Sequence, residues 1–203
     1  MQRSHSGRTL KFFTAGIVVA AATASSVIAG TGVAQAASLH GTFSIGPGSY
    51  FRMILPSGTA SGPFLANGNS SESDKTFTPL SGSLTPGSYQ GEVTGPESFF
   101  GSAFTTSTKA TDPQTGKGTS VPTINQNGSS LSGDLDAFGV AWNGQVFNQG
   151  APKPGGGFPG KTSAVSGSID GSGDYTLQWT SQIVGGPFNN FTGLWHLTGH
   201  HSG

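Results

Sequence analysis

The chain has 203 residues, nine basic and nine acidic side chains, 34 glycines, 14 phenylalanines and no cysteine. The absence of cysteine excludes disulfides, thiolate metal centres, cysteine nucleophiles and a lipid anchor on cysteine. The basic residues are few and scattered, which argues against nucleic acid and anionic membranes as partners, because both require clustered Lys and Arg to displace counterions.

At the N-terminus, Arg3, Arg8 and Lys11 form a positive head without an acidic residue, and an apolar stretch follows over residues 12–30. Ala34-Gln35-Ala36 then offers the small-x-small pattern of a signal-peptidase site. Residues 1–36 are therefore expected to be a cleaved export signal, and Thr14, Thr23, Ser25 and Ser26 dilute the apolar run too much for a membrane anchor. The expected mature chain is extracellular, uninserted in any membrane, and carries nine acidic against six basic residues, a net charge of about −3. It is 167 residues long, a length that suits one domain, set at 37–199 with a polar tail at 200–203.

Period-two alternation dominates the mature part, and no stretch shows a sustained helical stripe. Residues 39–45 alternate into Gly46-Pro47-Gly48, and a second strand covers 50–55. Residues 57–75 read as loop with a short strand near Phe64, and 76–80 as an edge strand, because Pro79 cannot donate to a ladder. Residues 89–93 and 99–108 alternate again, the latter with Phe100 and Phe104 on one face. After the turn 112–116, a short strand at 121–125 leads to the Asn127-Gly128 turn.

Residues 131–147 read as a hairpin with Asn143-Gly144 at its tip, a dipeptide that accepts the positive φ such a turn demands. The Gly- and Pro-rich run 149–162 reads as a loop and candidate flap. Two strands, 165–169 and 175–183, flank the turn 170–173, and a last alternating face carries Phe191, Gly193, Trp195 and Leu197. Eight to ten short strands separated by Gly, Pro and Asn turns predict an all-β fold, a single antiparallel β-sandwich or barrel.

Asp134 and Asp136, two apart on an expected strand, would point to one face about 7 Å apart, a separation inverting glycosidases use, so they are the candidate catalytic pair. Asp170 and Asp174 flank a glycine turn and are candidate calcium ligands, although the remaining acidic ligands of a calcium loop are missing. His196 and His200 are four apart, but on strand and tail and not on the helix that such a zinc pair needs, so neither a metal nor any other cofactor is expected. Aromatic rings beside amides form a further pattern: Trp142 with Asn143 and Gln145, and Phe188 with Asn189, Asn190 and Trp195. A flat ring that stacks on a sugar face, with planar amides that bond its hydroxyls, is what a neutral glycan needs.

Three runs, Leu131-Ser132-Gly133-Asp134-Leu135, Phe147-Asn148-Gln149-Gly150-Ala151-Pro152-Lys153-Pro154 and Trp179-Thr180-Ser181-Gln182-Ile183-Val184-Gly185-Gly186-Pro187-Phe188, resemble exported actinobacterial proteins of unassigned function. The resemblance covers residues 131–199 and implies export and a common fold; it carries over no functional residue. The expected function is a secreted, non-catalytic β-domain that binds a glycan or cell-wall polymer. The alternatives are a carboxylate-dependent hydrolase centred on Asp134 and Asp136, and a barrel holding a small apolar ligand.

Overall fold

A computed structural model describes residues 36–57 and 77–203, which fall within one compact unit, Ala34–Gly203. The expected export signal up to residue 35 and the expected strand near Phe64 lie outside the described residues. Among the described residues fourteen strands follow in chain order: β1 (Ala37–Leu39), β2 (Thr42–Ile45), β3 (Tyr50–Ile54), β4 (Phe77–Pro79), β5 (Gly82–Leu84), β6 (Thr94–Phe99) and β7 (Ser102–Thr108). The second half holds β8 (Thr123–Asn127), β9 (Ser130–Asp134), β10 (Phe138–Trp142), β11 (Gln145–Asn148), β12 (Val165–Ile169), β13 (Asp174–Gln182) and β14 (Thr192–Ser202). No described residue is helical. The all-β expectation therefore holds, as one antiparallel sheet curled into a half-barrel.

The strands run β1-β8-β9-β12-β13-β14-β2-β5-β6-β7-β10-β11, with β3 on β14 and β4 outside β3. β14 is the pivot. One of its edges pairs β13 along nine residues, while the other pairs β3 over Thr192–His196 and then β2 at His201 and Ser202. The change of partner falls at Gly199, where a Cβ would stand 1.8 Å from the Ser44 carbonyl oxygen, so only glycine lets β2 lie this close. The expected polar tail at 200–203 is thus largely strand.

Inward-facing residues follow the alternation: Phe43, Leu84, Phe104, Phe138, Leu177, Trp179, Trp195 and Leu197 are all buried. Trp179 and Trp195 are directly opposed cross-strand partners whose rings stack at 5.5 Å and 8°, and Phe138 meets both edge-on. Each fully buried large side chain contributes roughly 1.5–3 kcal/mol, and a well-set aromatic pair about 0.5–1.5 kcal/mol more.

Several expected elements are displaced. Residues 89–93 are coil and bends, although Gln90 and Val93 still bond β7 at Thr108 and Thr106; toward β5 the Gln90 side chain takes the place of a strand partner, accepting from Thr85 N at 2.7 Å and donating to Ser83 O at 3.1 Å. The expected strand 99–108 is the turn Phe100-Gly101 followed by β7, so Phe99 and Phe104 are buried and Phe100 is not. The 149–162 loop is no simple flap. Gln149, Ala151 and Lys153 are buried, and Gly150 passes so close to Asp136 and Leu135 that a Cβ would meet their carbonyl oxygens at 2.6 Å.

Candidate functional site

Three loops from distant parts of the chain meet at one end of the curled sheet. The first is the β10–β11 tip, where Asn143 and Gly144 adopt φ of 46° and 69°, the mirror-image turn expected from this dipeptide. The second is the β6–β7 tip, where Phe100 and Gly101 adopt φ of 50° and 75°. The third is the β13–β14 connection, residues 184–191, bent by positive φ at Gly185, Gly186 and Asn190 and held by Gly185 N donating to Asn189 Oδ1 at 2.8 Å.

Specific contacts join the three. The Trp142 indole Nε1 donates to Phe99 O at 2.6 Å, tying the second hairpin tip to the first. The Trp142 ring lies 5.3 Å from Phe188 and 6.4 Å from Phe100, while Phe100 and Phe188 are 5.4 Å apart. Gly186 approaches the hairpin so closely that a Cβ would stand 2.6 Å from Gln145 Oε1 and 3.0 Å from the Phe147 ring. Two segments that the sequence singled out separately, 142–145 and 188–190, are therefore neighbours.

The roles within this group differ from expectation. Trp195 is completely buried beneath Trp179 and Phe138, its indole N–H on Gln149 Oε1 at 3.3 Å, so it offers no face to a ligand. Trp142 is 8% exposed, covered by Phe99, Phe100 and Phe188, and serves as the floor of the rim. The exposed ring is Phe100, at 38%. Asn143 and Gln145 on the β10–β11 tip and Asn189 and Asn190 on the β13–β14 connection are exposed, and Phe188 is half-buried. Alternation sets the Phe100 ring on a strand face with Phe104, and Phe-Gly is not a standard turn pair, so the sequence gives no signal for a ring exposed at this tip.

Beneath the rim, Phe51, Phe99, Phe104, Val140, Trp142, Phe147, Ile183 and Phe188 surround a cavity of about 20 Å³, whose polar member is Gln149. That is room for a single water, far below the several hundred Å³ of a small-molecule site, so the phenylalanines pack a core and line no ligand chamber.

The carboxylates are placed differently from the sequence expectation. β9 ends at Asp134, and Asp136 sits in the turn that follows, so the two do not share a strand face. Asp136 N donates to Asp134 Oδ1 at 3.0 Å, and the buried Asp136 carboxylate accepts Ser120 N at 2.9 and 3.1 Å. Burial, then the Asp134 charge, raise its pKa to about 6. Through these bonds the pair braces the turn between β9 and β10.

Nearby, the buried Lys153 ammonium donates to Asn148 O at 2.6 Å, and Asn148 bonds Asp136 O and Gly150 N through its side-chain amide. Burial lowers Lys153 to about 8, with the Asp112 charge opposing the shift. Gln149 completes this polar wedge: its carbonyl accepts the Trp179 indole at 2.9 Å and its amide donates to Asn148 O at 3.0 Å.

Asp170 Oδ1 accepts Ser172 N, Ser172 Oγ and Asp174 N at 2.7–3.0 Å, and these bonds hold its carboxyl below the usual range. Asp174 pairs with His200 Nδ1 at 3.1 Å. The turn thus already uses the Oδ1 atom of each carboxylate, and among the described residues no group of three His, Asp or Glu is placed to hold a metal ion. His196 stacks on Tyr50 at 4.9 Å, and burial lowers its pKa. On one strand, His196 and His200 stand about 13 Å apart, too far to share an ion.

Comparison with family models, curated proteins and solved structures finds no match to this chain.

Proposed function

We propose that the chain is exported, cleaved after Ala36, and acts outside the cell as a non-catalytic β-domain that binds an uncharged polysaccharide of a cell wall or the surroundings. The ligand would stack on Phe100 and Phe188 above the Trp142 floor, with the Asn143, Gln145 and Asn189 amides bonding its hydroxyls. Export is supported by the N-terminal pattern and by β1, which opens at Ala37, the first residue after the expected cleavage site.

One observation carries the binding reading. Phe100 occupies the left-handed region at φ 50°, where a bulky L-residue is an outlier, and its ring stands partly exposed beside Phe188. A turn that needed only to reverse the chain would place Asn or Gly there, and backbone strain of this kind concentrates at functional positions.

The test is retention of the purified mature chain on a panel of insoluble polysaccharides and cell walls, with Phe100→Asn as control. The wild type is expected to be retained on at least one neutral polymer and the variant released. Retention on none, or equal retention of the variant, would refute the reading.

A further inference from the structure

We propose that the rim is one end of a longer site, continued across the outer face of β7, β10 and β11, and that its ligand is a linear uncharged polysaccharide long enough to cover both. This inference rests on the rim being a sugar-binding surface. Thr105, Ala141 and Val146 are cross-strand neighbours in register, Thr105 opposite Ala141 and Ala141 opposite Val146. They point away from the core, since Phe104, Val140 and Phe147 beside them are buried. Together with Ser102, Ala103 and the 142–145 tip they line a shallow depression of about 540 Å³.

That floor carries no charge, in a chain of which only 9% of residues are charged. Its outward side chains are Ala, Thr and Val, and none of the lining residues is ionisable. Exposed faces ordinarily carry Lys and Glu, which keep water and exclude other chains. Small side chains instead let a flat chain approach the backbone closely, while the Ser102 and Thr105 hydroxyls supply hydrogen bonds. The absence of charge selects a neutral polymer over an anionic one.

Continuity with the rim gives the length. Trp142, Asn143 and Gln145 belong to both surfaces, so a chain stacked on Phe100 passes over the hairpin tip directly onto the floor. Ser102 to Thr105 alone spans about 10 Å along β7, beyond what one stacked ring would occupy.

The experiment is calorimetric titration of the mature chain with cello-, chito- and xylo-oligosaccharides from disaccharide to hexasaccharide, at low and high salt. In the series that binds, the hexasaccharide is expected to bind about tenfold or more tighter than the disaccharide, with no loss of affinity at high salt. Thr105→Trp, which fills the floor, is expected to bring the hexasaccharide down to the disaccharide value; Val146→Lys on the same row is the second variant should the first fail to fold. Phe100→Asn weakens every member of the series.

Affinity that does not grow with length, or a length dependence untouched by both floor variants, overturns the extended site while leaving the rim intact. Absence of binding to every series, together with no retention on solid polymers, overturns the rim and this inference with it. A wild-type dimer in sedimentation that Thr105→Trp abolishes would assign the floor to a second copy of the chain, and would likewise overturn the proposal.

Discussion

Phe100 separates strain from packing when replaced in two ways. Its ring is 38% exposed and touches Phe99, Phe188 and Trp142, so roughly three-fifths of a phenylalanine's burial, about 1–2 kcal/mol, is lost by any small replacement. Its φ of 50° costs an ordinary L-residue about 1–2 kcal/mol, and Asn is the non-glycine residue that tolerates this region best. Phe100→Ala loses the ring and keeps the strain, for a net destabilisation of about 1–2 kcal/mol. Phe100→Asn loses the ring and relieves most of the strain, for a net change of about 0–1 kcal/mol. Urea denaturation followed by tryptophan fluorescence should therefore rank Asn above Ala by about 1 kcal/mol, or about 2–4 °C in Tm for a domain of this length. Both variants should lose polysaccharide retention equally, since both lack the ring. Ala matching or exceeding Asn in stability would show that the turn is unstrained. A loss beyond about 3 kcal/mol in the Asn variant would make the ring a core member and remove the argument for a binding role.

Two buried charges give opposite pH dependences. The Asp136 carboxyl is raised from 3.8 to about 6 in the fold, so its contribution is most favourable below pH 4 and declines as pH rises to 6, an effect of order 1–3 kcal/mol that should be absent in Asp136→Asn. The Lys153 ammonium is lowered from 10.5 to about 8, so the penalty for burying its charge is full below pH 8 and relieved as pH rises toward 10.5; stability should climb across that window in the wild type and stay flat in Lys153→Met. Stability titrations by urea melts at successive pH values check both, and a slope unchanged by either substitution would assign it to other groups. Gln149→Leu leaves the buried Trp195 indole N–H without its acceptor and should cost about 1–3 kcal/mol; a loss below about 0.5 kcal/mol would show that the 3.3 Å bond contributes little.

The sequence made local structure legible where one dipeptide decides it. Asn143-Gly144 is one of the few pairs that readily supply positive φ at both turn positions, and the hairpin forms there; the alternation of Tyr175, Leu177 and Trp179 marks the core face of β13. The reading failed where side chains or distant segments decide. Alternation alone cannot show that the Gln90 side chain replaces a ladder partner, nor that a turn at Phe100 shifts the buried parity to Phe99 and Phe104. The run from Gln149 to Lys153 has loop composition, yet it fills the core because Gln149 and Asn148 supply the hydrogen bonds that two indoles and a buried lysine require. Likewise the letters of the rim could be picked out, but not which ring is exposed: Trp142 and Trp195 attract attention by size, yet both put their large apolar area into the core.

Rigidity follows from how the three loops are joined, and it bears on what they can bind. The Trp142–Phe99 hydrogen bond fixes one tip to the next, Gly186 is pressed against Gln145 and Phe147, and the space beneath is filled to within about 20 Å³. A surface held this way has little conformational freedom to lose when a ligand lands on it, so weak stacking and a few amide hydrogen bonds are not offset by ordering costs. The same packing works against a small apolar guest, which would have to displace Phe188 and part of the aromatic core before gaining any contact. For the proposed polysaccharide ligand, an open aromatic rim over a closed core is consistent with a chain that lies across the surface, its flat face on the exposed ring and its length along the uncharged floor beside it.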